Sequence, residues 1–170
     1  MESFQELGLP AFLAQNLKQM NFMKPTPVQA QAIPSALEGK DVIASAQTGT
    51  GKTAAFGIPL LNYLENHKDK MAVILTPTRE LAVQVLDVLR KLSGNHHLGG
   101  SVLLIGGAPM GPQLTILSRK PRLIIGTPGR VIYHLHRGSL VLANAGFLVL
   151  DEADRMLDMG FAPQLEEIRK

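Results

Sequence analysis

Ala46-Gln47-Thr48-Gly49-Thr50-Gly51-Lys52-Thr53 is a run whose residue types suit the handling of phosphate. It follows an apolar stretch that reads as a strand and leads into Ala54, Ala55, Phe56 and Ile58, which read as a helix. Gly49 and Gly51 let the backbone curl so that successive N–H groups point inward, where a helix N-terminus adds partial positive charge. Lys52 can then reach β- and γ-phosphates, and Thr53 can offer its hydroxyl to Mg2+. The general pattern for such a loop has Gly at position 46, where this chain has Ala, but Thr48 to Thr53 is intact. A glycine-rich turn that merely connects strand to helix does not explain why Lys and Thr follow the second glycine.

A second constellation ends another apolar run: Phe147-Leu148-Val149-Leu150 delivers Asp151 and Glu152 to the C-terminal end of a strand. In an open α/β sheet, ligands bind at that edge. One carboxylate can hold a hydrated Mg2+, and its neighbour can orient or deprotonate a water aimed at a γ-phosphate. The pair by itself leaves open whether Asp151 or Glu152 takes the metal side. Alone, such a pair is commonly a solvated acidic turn; beside a phosphate loop it reads as chemistry.

The elements that must position these residues follow from apolar patterning. Five runs read as strands: Asp41 to Ala46, Met71 to Thr76, Ser101 to Gly107, Arg122 to Thr127 and Phe147 to Glu152. They are nearly continuous in apolar residues, as expected of parallel strands covered on both faces. Between them, Thr78 to Leu92 carries Leu81, Val85, Leu89 and Leu92 at helical spacing, and Val131 to His136 follows a Gly-Arg turn. Two further helices precede the first strand, over 11–20 and 27–37, and a last one begins near Pro163. Alternating strands and helices predict an α/β fold: a doubly wound, mostly parallel sheet with helices on both faces.

The 170 residues are 45% hydrophobic and 18% charged, which suits one folded domain and excludes disorder. The absence of Cys excludes a disulfide framework, a thiolate nucleophile and Cys-based metal sites, and agrees with a cytoplasmic setting. No apolar stretch approaches the roughly 20 residues of a membrane-spanning helix, and the start Met-Glu-Ser-Phe-Gln-Glu-Leu-Gly lacks a secretory pattern. Neither membrane nor secretion is expected. A net charge of +3 permits a polyanionic partner without demanding one. With 5% aromatic residues, nucleic acid would be held by its backbone rather than on a platform of stacked rings. His96-His97 falls in a polar loop, and His134 and His136 face different ways on a helix, so no metal site is expected among them.

Taken in order, Thr48 to Thr53, Pro77-Thr78-Arg79-Glu80-Leu81, Gly106-Gly107, Thr127-Pro128-Gly129-Arg130 and Asp151-Glu152-Ala153-Asp154 closely resemble the motifs of the DEAD-box ATP-dependent RNA helicase family. Phe22 and Lys24-Pro25-Thr26-Pro27-Val28-Gln29 are similar to that family's adenine-recognition motif, with Phe4 at the upstream aromatic position. Asn21 stands where Gly is usual and Val28 where Ile is commoner. The resemblance covers essentially the whole chain and implies a RecA-like P-loop NTPase domain that binds ATP with Mg2+.

It assigns Gln29 to adenine, since a carboxamide pairs a donor with an acceptor as the N6/N7 edge requires, and it stacks Phe22 on the ring. For Phe22 a hydrophobic staple for the following helix competes with that role, and for Phe4 the staple is preferred. Gln29 and Phe22 thus join Thr48, Gly49, Thr50, Gly51, Lys52 and Thr53 as the nucleotide-binding set. Thr78, Arg79, Gly107, Thr127 and Arg130 are implied to hold single-stranded RNA by its phosphates and 2′-hydroxyls, independently of sequence. A helix-start arginine paired to a carboxylate is the alternative for Arg130, and Glu80 and Asp154 are expected to make structural pairs.

Residues 1–38 then form a helical flank carrying the adenine motif, and 39–170 the first of two RecA-like domains. The family's next motif, Ser-Ala-Thr on a strand expected between those carrying the phosphate loop and Asp151-Glu152, is not in this sequence. Nor is the second domain, which supplies transition-state arginines and the other half of the RNA groove. The full-length protein is thus expected to couple ATP hydrolysis to RNA unwinding. A non-catalytic nucleotide- or RNA-binding fragment, monomeric, is the alternative, and a small-molecule P-loop kinase would need a substrate lid that no segment supplies. The 170-residue chain by itself should bind adenine nucleotide weakly and show negligible RNA-stimulated hydrolysis; a robust RNA-dependent ATPase rate from the purified chain contradicts this.

Overall fold

The computed structural model describes residues 2–46, 49 and 51–169. They fall into two compact units, one of Met1–Lys68 and Asp87–Leu98, the other of Asp69–Leu86 and Gly99–Lys170.

The first unit is helical, with α1 (Ala11–Gln19), α2 (Pro27–Leu37), α3 (Lys52–Asn66) and the end of α4 (Arg79–Ser93). α2 starts where its sequence demands: Pro27 fills the first position, where its missing N–H costs nothing, and Thr26 and Gln29 form a reciprocal capping box. Apolar residues at helical spacing, among them Leu13, Leu17, Ile33, Ile58, Leu61, Leu64, Leu89 and Leu92, are all buried. Asn16 Nδ2 donates to the Leu92 carbonyl at 2.8 Å, satisfying one of the acceptors that the last turn of α4 leaves without an intrahelical partner.

The second unit is built on a four-stranded sheet in the order β2-β3-β1-β4. Its strands are β1 (Met71–Leu75), β2 (Ser101–Leu104), β3 (Leu123–Gly126) and β4 (Ala145–Leu150), all paired in parallel. Parallel neighbours require crossovers. α4 follows β1, α5 (Met110–Ser118) follows β2, and α6 (Pro128–Arg137) follows β3. After β4 come α7 (Ala153–Asp158) and α8 (Ala162–Arg169). Met71, Val73, Leu75, Val102, Leu104 and Ile124 from the sheet pack with Leu117, Val131, Ile132, Met156 and Ile168 from these helices.

β1 and β3 are buried along their whole length, as continuous apolar strands should be. β4 is outermost, paired among the described residues with β1 alone, and Leu148 and Leu150 are 47% and 41% exposed, as expected where the neighbouring Ser-Ala-Thr strand is not in the sequence. One expectation fails. Asp41 to Ala46 is not a strand: it pairs with no described residue in a sheet, and Ile43 is fully exposed. An extended segment with no ladder partner has nothing to satisfy its backbone but water, whatever its β-propensity.

No helix among the described residues is long and apolar enough to cross a membrane. The contrast between central and outer strands sets an expected stability ratio. Ile74→Ala, in the buried centre of β1, should cost about 2–5 kcal/mol in urea unfolding. Leu148→Thr should change stability by no more than about 0.5 kcal/mol, and equal losses would contradict the strand order.

Candidate functional site

The candidate residues divide between the two units. In the first, Gly51 is the N-cap of α3 with φ of 85°, the left-handed region that glycine enters without strain. A side chain there would also run into Gln29 Nε2. With Gly51 at the cap, α3 has no side-chain cap and no acid in its first turn. The opening N–H groups, beside Lys52 and Thr53, have no side-chain acceptor among the described residues, and the helix dipole favours an anion. Gly49 is exposed, with φ of 84°; Thr48 and Thr50 lie outside the described residues.

Gln29 is 2% exposed and ties the adenine motif to this helix start. Its Oε1 accepts from the Thr26 N–H at 3.0 Å, and its Nε2 donates to the Gly51 carbonyl at 3.1 Å. Among the described residues, one N–H and one lone pair of the carboxamide have no further partner. The half-buried Phe22 ring stacks on the buried Phe4 ring, centroids 6.4 Å apart at 24°. Phe4 is thereby a packing residue.

In the second unit the strands end level. Leu104 is opposite Gly126, Gly126 opposite Leu75, and Leu75 opposite Leu150. The ladder runs one residue further: Thr127, Thr76 and Asp151 donate their N–H groups to the carbonyls of Leu104, Gly126 and Leu75 at 3.1, 3.0 and 2.9 Å. The residues after all four strands therefore share one edge. Asp151 is 8% exposed. Glu152 caps α7 with φ 54° and ψ 52°, a left-handed conformation costing about 1–2 kcal/mol for a residue with a Cβ. Its Oε2 accepts from Arg155 Nη1 at 3.2 Å. The buried Thr76 hydroxyl donates to the Thr78 carbonyl, and Thr78 Oγ1 accepts from the Leu81 N–H, which caps α4.

Along the same edge, two guanidinium groups close on one glycine turn. Arg79 Nη1 donates to the Gly106 carbonyl at 3.2 Å. Gly107, at φ of 78°, leaves the space that Arg79 Nη1 occupies, since any side chain would collide with it. Arg130 Nη2 lies 3.8 Å from where a Gly106 side chain would begin. Thr127 is the N-cap residue of α6, with no side-chain cap bond, and Pro128 fills the first position. Neither arginine forms an ion pair among the described residues. Arg130 instead touches Gln113 Oε1 (3.5 Å), Met110 Sδ (3.7 Å) and the face of Tyr133. Two cationic forks beside exposed backbone, with no carboxylate to neutralise them, suit a phosphodiester strand. Glu80 and Asp154, expected in structural pairs, are exposed and pair with no described residue, water being partner enough.

Behind Arg130 lies a buried polar cluster that patterning does not reveal. Gln113, 4% exposed, donates from Nε2 to the Ile105 carbonyl at 3.0 Å. His134, fully buried, sets Nε2 2.9 Å from Gln113 Oε1 and Nδ1 2.7 Å from Ser139 Oγ. Burial first, then the Arg130 and Arg137 charges, holds the His134 imidazole below its usual range. In the neutral ring Nε2–H donates to Gln113 and Nδ1 accepts from Ser139. The one sequence trace of this cluster is a polar residue four before the buried Leu117 on α5. His136 is exposed on the other side of α6 and meets Glu167, while His96 stacks on Phe12 at 4.0 Å and meets Glu65 at 2.6 Å.

The sequence profile of the DEAD/DEAH box helicase family matches residues 26–170. The DEAD-box ATP-dependent RNA helicase CshA of Bacillus cereus is 47% identical over 169 residues, 99% of this chain and 32% of its own length. The ATP-dependent rRNA helicase RRP3 of Candida albicans is 48% identical over 171 residues, again 99% of this chain and 32% of its own. The crystal structure of a DEAD box protein from Methanococcus jannaschii superposes with a TM-score of 0.90 at 39% identity, covering 99% of this chain and 46% of that one. The chain thus spans about a third of the length of its curated relatives.

The buried imidazole gives stability a pH slope of known sign. Because folded His134 holds its proton less tightly than the unfolded chain, stability is full above the ordinary imidazole range and falls as pH drops through it, by at most about 1.4 kcal/mol per unit. His134→Gln should lose that part of the slope in urea unfolding between pH 7.5 and 5. Identical slopes in the two proteins would contradict a neutral buried His134.

Proposed function

The chain belongs to the DEAD/DEAH box helicase family, and on that premise we propose that it is the N-terminal ATP- and RNA-binding part of an ATP-dependent RNA helicase. The observation that carries this reading is the shared edge of the second unit, where strands ending level are followed by an acidic pair and by two arginines that form no ion pair among the described residues. A passive RNA binder has no use for a glutamate held in a strained backbone conformation beside a buried aspartate.

Residues 39–170 would be the first of two RecA-like domains of a cytoplasmic protein. Gly49, Gly51, Lys52 and the start of α3, together with Thr48 and Thr50, would take the phosphates of ATP. Gln29 would read adenine with the N–H and lone pair that it has left, and Phe22 would stack on the base. Hard oxygen donors suit Mg2+, so the Thr53 hydroxyl and, through water, the Asp151 carboxylate would hold it. Bound Mg2+ supplies positive charge against the β- and γ-phosphates. Glu152 would take a proton from the attacking water. Thr78, Arg79, Gly107, Thr127 and Arg130 would hold RNA by its backbone. A second RecA-like domain would complete both sites, and duplex unwinding would follow from their closure.

In the full-length protein, Lys52→Ala should abolish nucleotide binding. Glu152→Gln should retain nucleotide affinity within about twofold while slowing turnover about 10²–10⁴-fold, the usual worth of a general base. Equilibrium titration with a fluorescent ATP analogue and steady-state ATPase assays separate the two, and a Glu152→Gln protein with normal turnover refutes the assigned base. Gln29→Ala should raise KM for ATP but not for GTP; an equal rise for both would remove Gln29 from base recognition.

A further inference from the structure

We propose that the Gln113 carboxamide is a positioning residue for RNA binding, setting Arg130 against the Gly106-Gly107 turn while the Ile105 carbonyl and the His134 imidazole fix the amide itself. The proposal rests on the reading of Arg130 as a phosphate contact.

The hydrogen-bond accounting leaves Gln113 one orientation. The Ile105 carbonyl can only accept, so the amide nitrogen must face it, at 3.0 Å. Oε1 is then the acceptor presented to Arg130 Nη1 at 3.5 Å and to His134 Nε2 at 2.9 Å. The His134 ring cannot turn freely, because Ser139 Oγ lies 2.7 Å from Nδ1 and the ring is fully buried. Ser139 Oγ is also 3.2 Å from the His134 carbonyl, tying the cluster to the end of α6. One side chain therefore bridges two loops of the candidate RNA face: Ile105, immediately before Gly106-Gly107, and Arg130, in the first turn of α6. A long arginine loses much rotamer entropy when it binds. A fixed acceptor at Nη1 removes part of that loss in advance, and the face of the guanidinium against Tyr133, at 5.8 Å, is restrained as well.

The test is RNA-titrated ATPase activity in the full-length protein, with nucleotide affinity measured separately without RNA. Gln113→Met preserves volume and removes the acceptor. It should raise the half-saturating RNA concentration about five- to tenfold, the range of a lost charge-assisted hydrogen bond, with nucleotide affinity within about twofold. If Gln113 acts through Arg130, the same change should add nothing in an Arg130→Ala background. Additive effects, or a parallel loss of nucleotide affinity, would reduce Gln113 to a packing residue and overturn the proposal, as would wild-type RNA affinity in Gln113→Met. Wild-type RNA affinity in Arg130→Ala would instead overturn the RNA reading of Arg130, and this proposal with it. Should Gln113→Met not fold, Gln113→Asn carries the test. Its carboxamide keeps a donor and an acceptor but, one methylene shorter, cannot reach Ile105 and Arg130 together, so the half-saturating RNA concentration should rise in the same range and not rise further in an Arg130→Ala background. Wild-type RNA affinity in this variant overturns the proposal.

Discussion

β1 hydrogen-bonds to β3 on one side and β4 on the other, both in parallel, and because the β4 ladder keeps one register from Ala72 onward, after a one-residue shift at Met71-Ala72, three strands finish at the same height. β2 joins them through β3. Every chemical feature of the second unit depends on that alignment. A parallel strand cannot pair with its neighbour through a tight turn, so each strand hands its chain to a loop and a helix. Level strand ends place Thr78-Arg79, Gly106-Gly107, Thr127-Arg130 and Asp151-Glu152 along one edge. A slip of one residue in any ladder would also turn that strand's side chains to the opposite face. The fully buried β1 and β3 leave no slack for such a slip.

The edge combines groups that would be costly elsewhere. Two arginines close on a glycine turn with no carboxylate nearby, and Glu152 holds a left-handed backbone that a glycine would adopt more easily. Both are tolerable where water still reaches the charge and where the flanking strand and helix overdetermine the backbone. Behind them Gln113 and His134 are buried polar groups, yet each bonds to a definite partner, so the desolvation cost is offset and the orientation becomes single-valued. The packing of this cluster thus reaches the surface as a preference in where Arg130 points.

The first unit solves a simpler problem with helix ends. Gly51 supplies the backbone turn, gives up any side-chain cap and leaves the start of α3 open, while Gln29 is spent partly on its own capping box and partly on the Gly51 carbonyl. A residue read only as an adenine ligand is therefore also a brace between α2 and the start of α3. The bond that would orient its amide for a base is the same one that steadies the loop end.

Periodicity and end signals made most elements legible. Pro27 to Leu37 is readable to the residue because Thr26, Pro27 and Gln29 form a complete start signal, and the run Met71 to Thr76, five of its residues apolar, ends one residue beyond the observed strand Met71–Leu75. The phosphate run, the acidic pair and the arginines were identifiable as types at spacings, since their chemistry is local to a few adjacent residues. Asp41 to Ala46 was read as a strand, yet strand formation depends on a neighbour that local composition cannot supply, and here none of the described residues pairs with it. The convergence of Arg79 and Arg130 on Gly106-Gly107 and the link from Ile105 through Gln113 to Arg130 were likewise beyond the sequence. By itself the sequence determined which groups exist and which backbone each can adopt, because those are properties of single residues and short windows. Only the tertiary structure decided which of them meet, because meeting depends on strand order and register, and these are set by burial of the whole sheet rather than by any one segment.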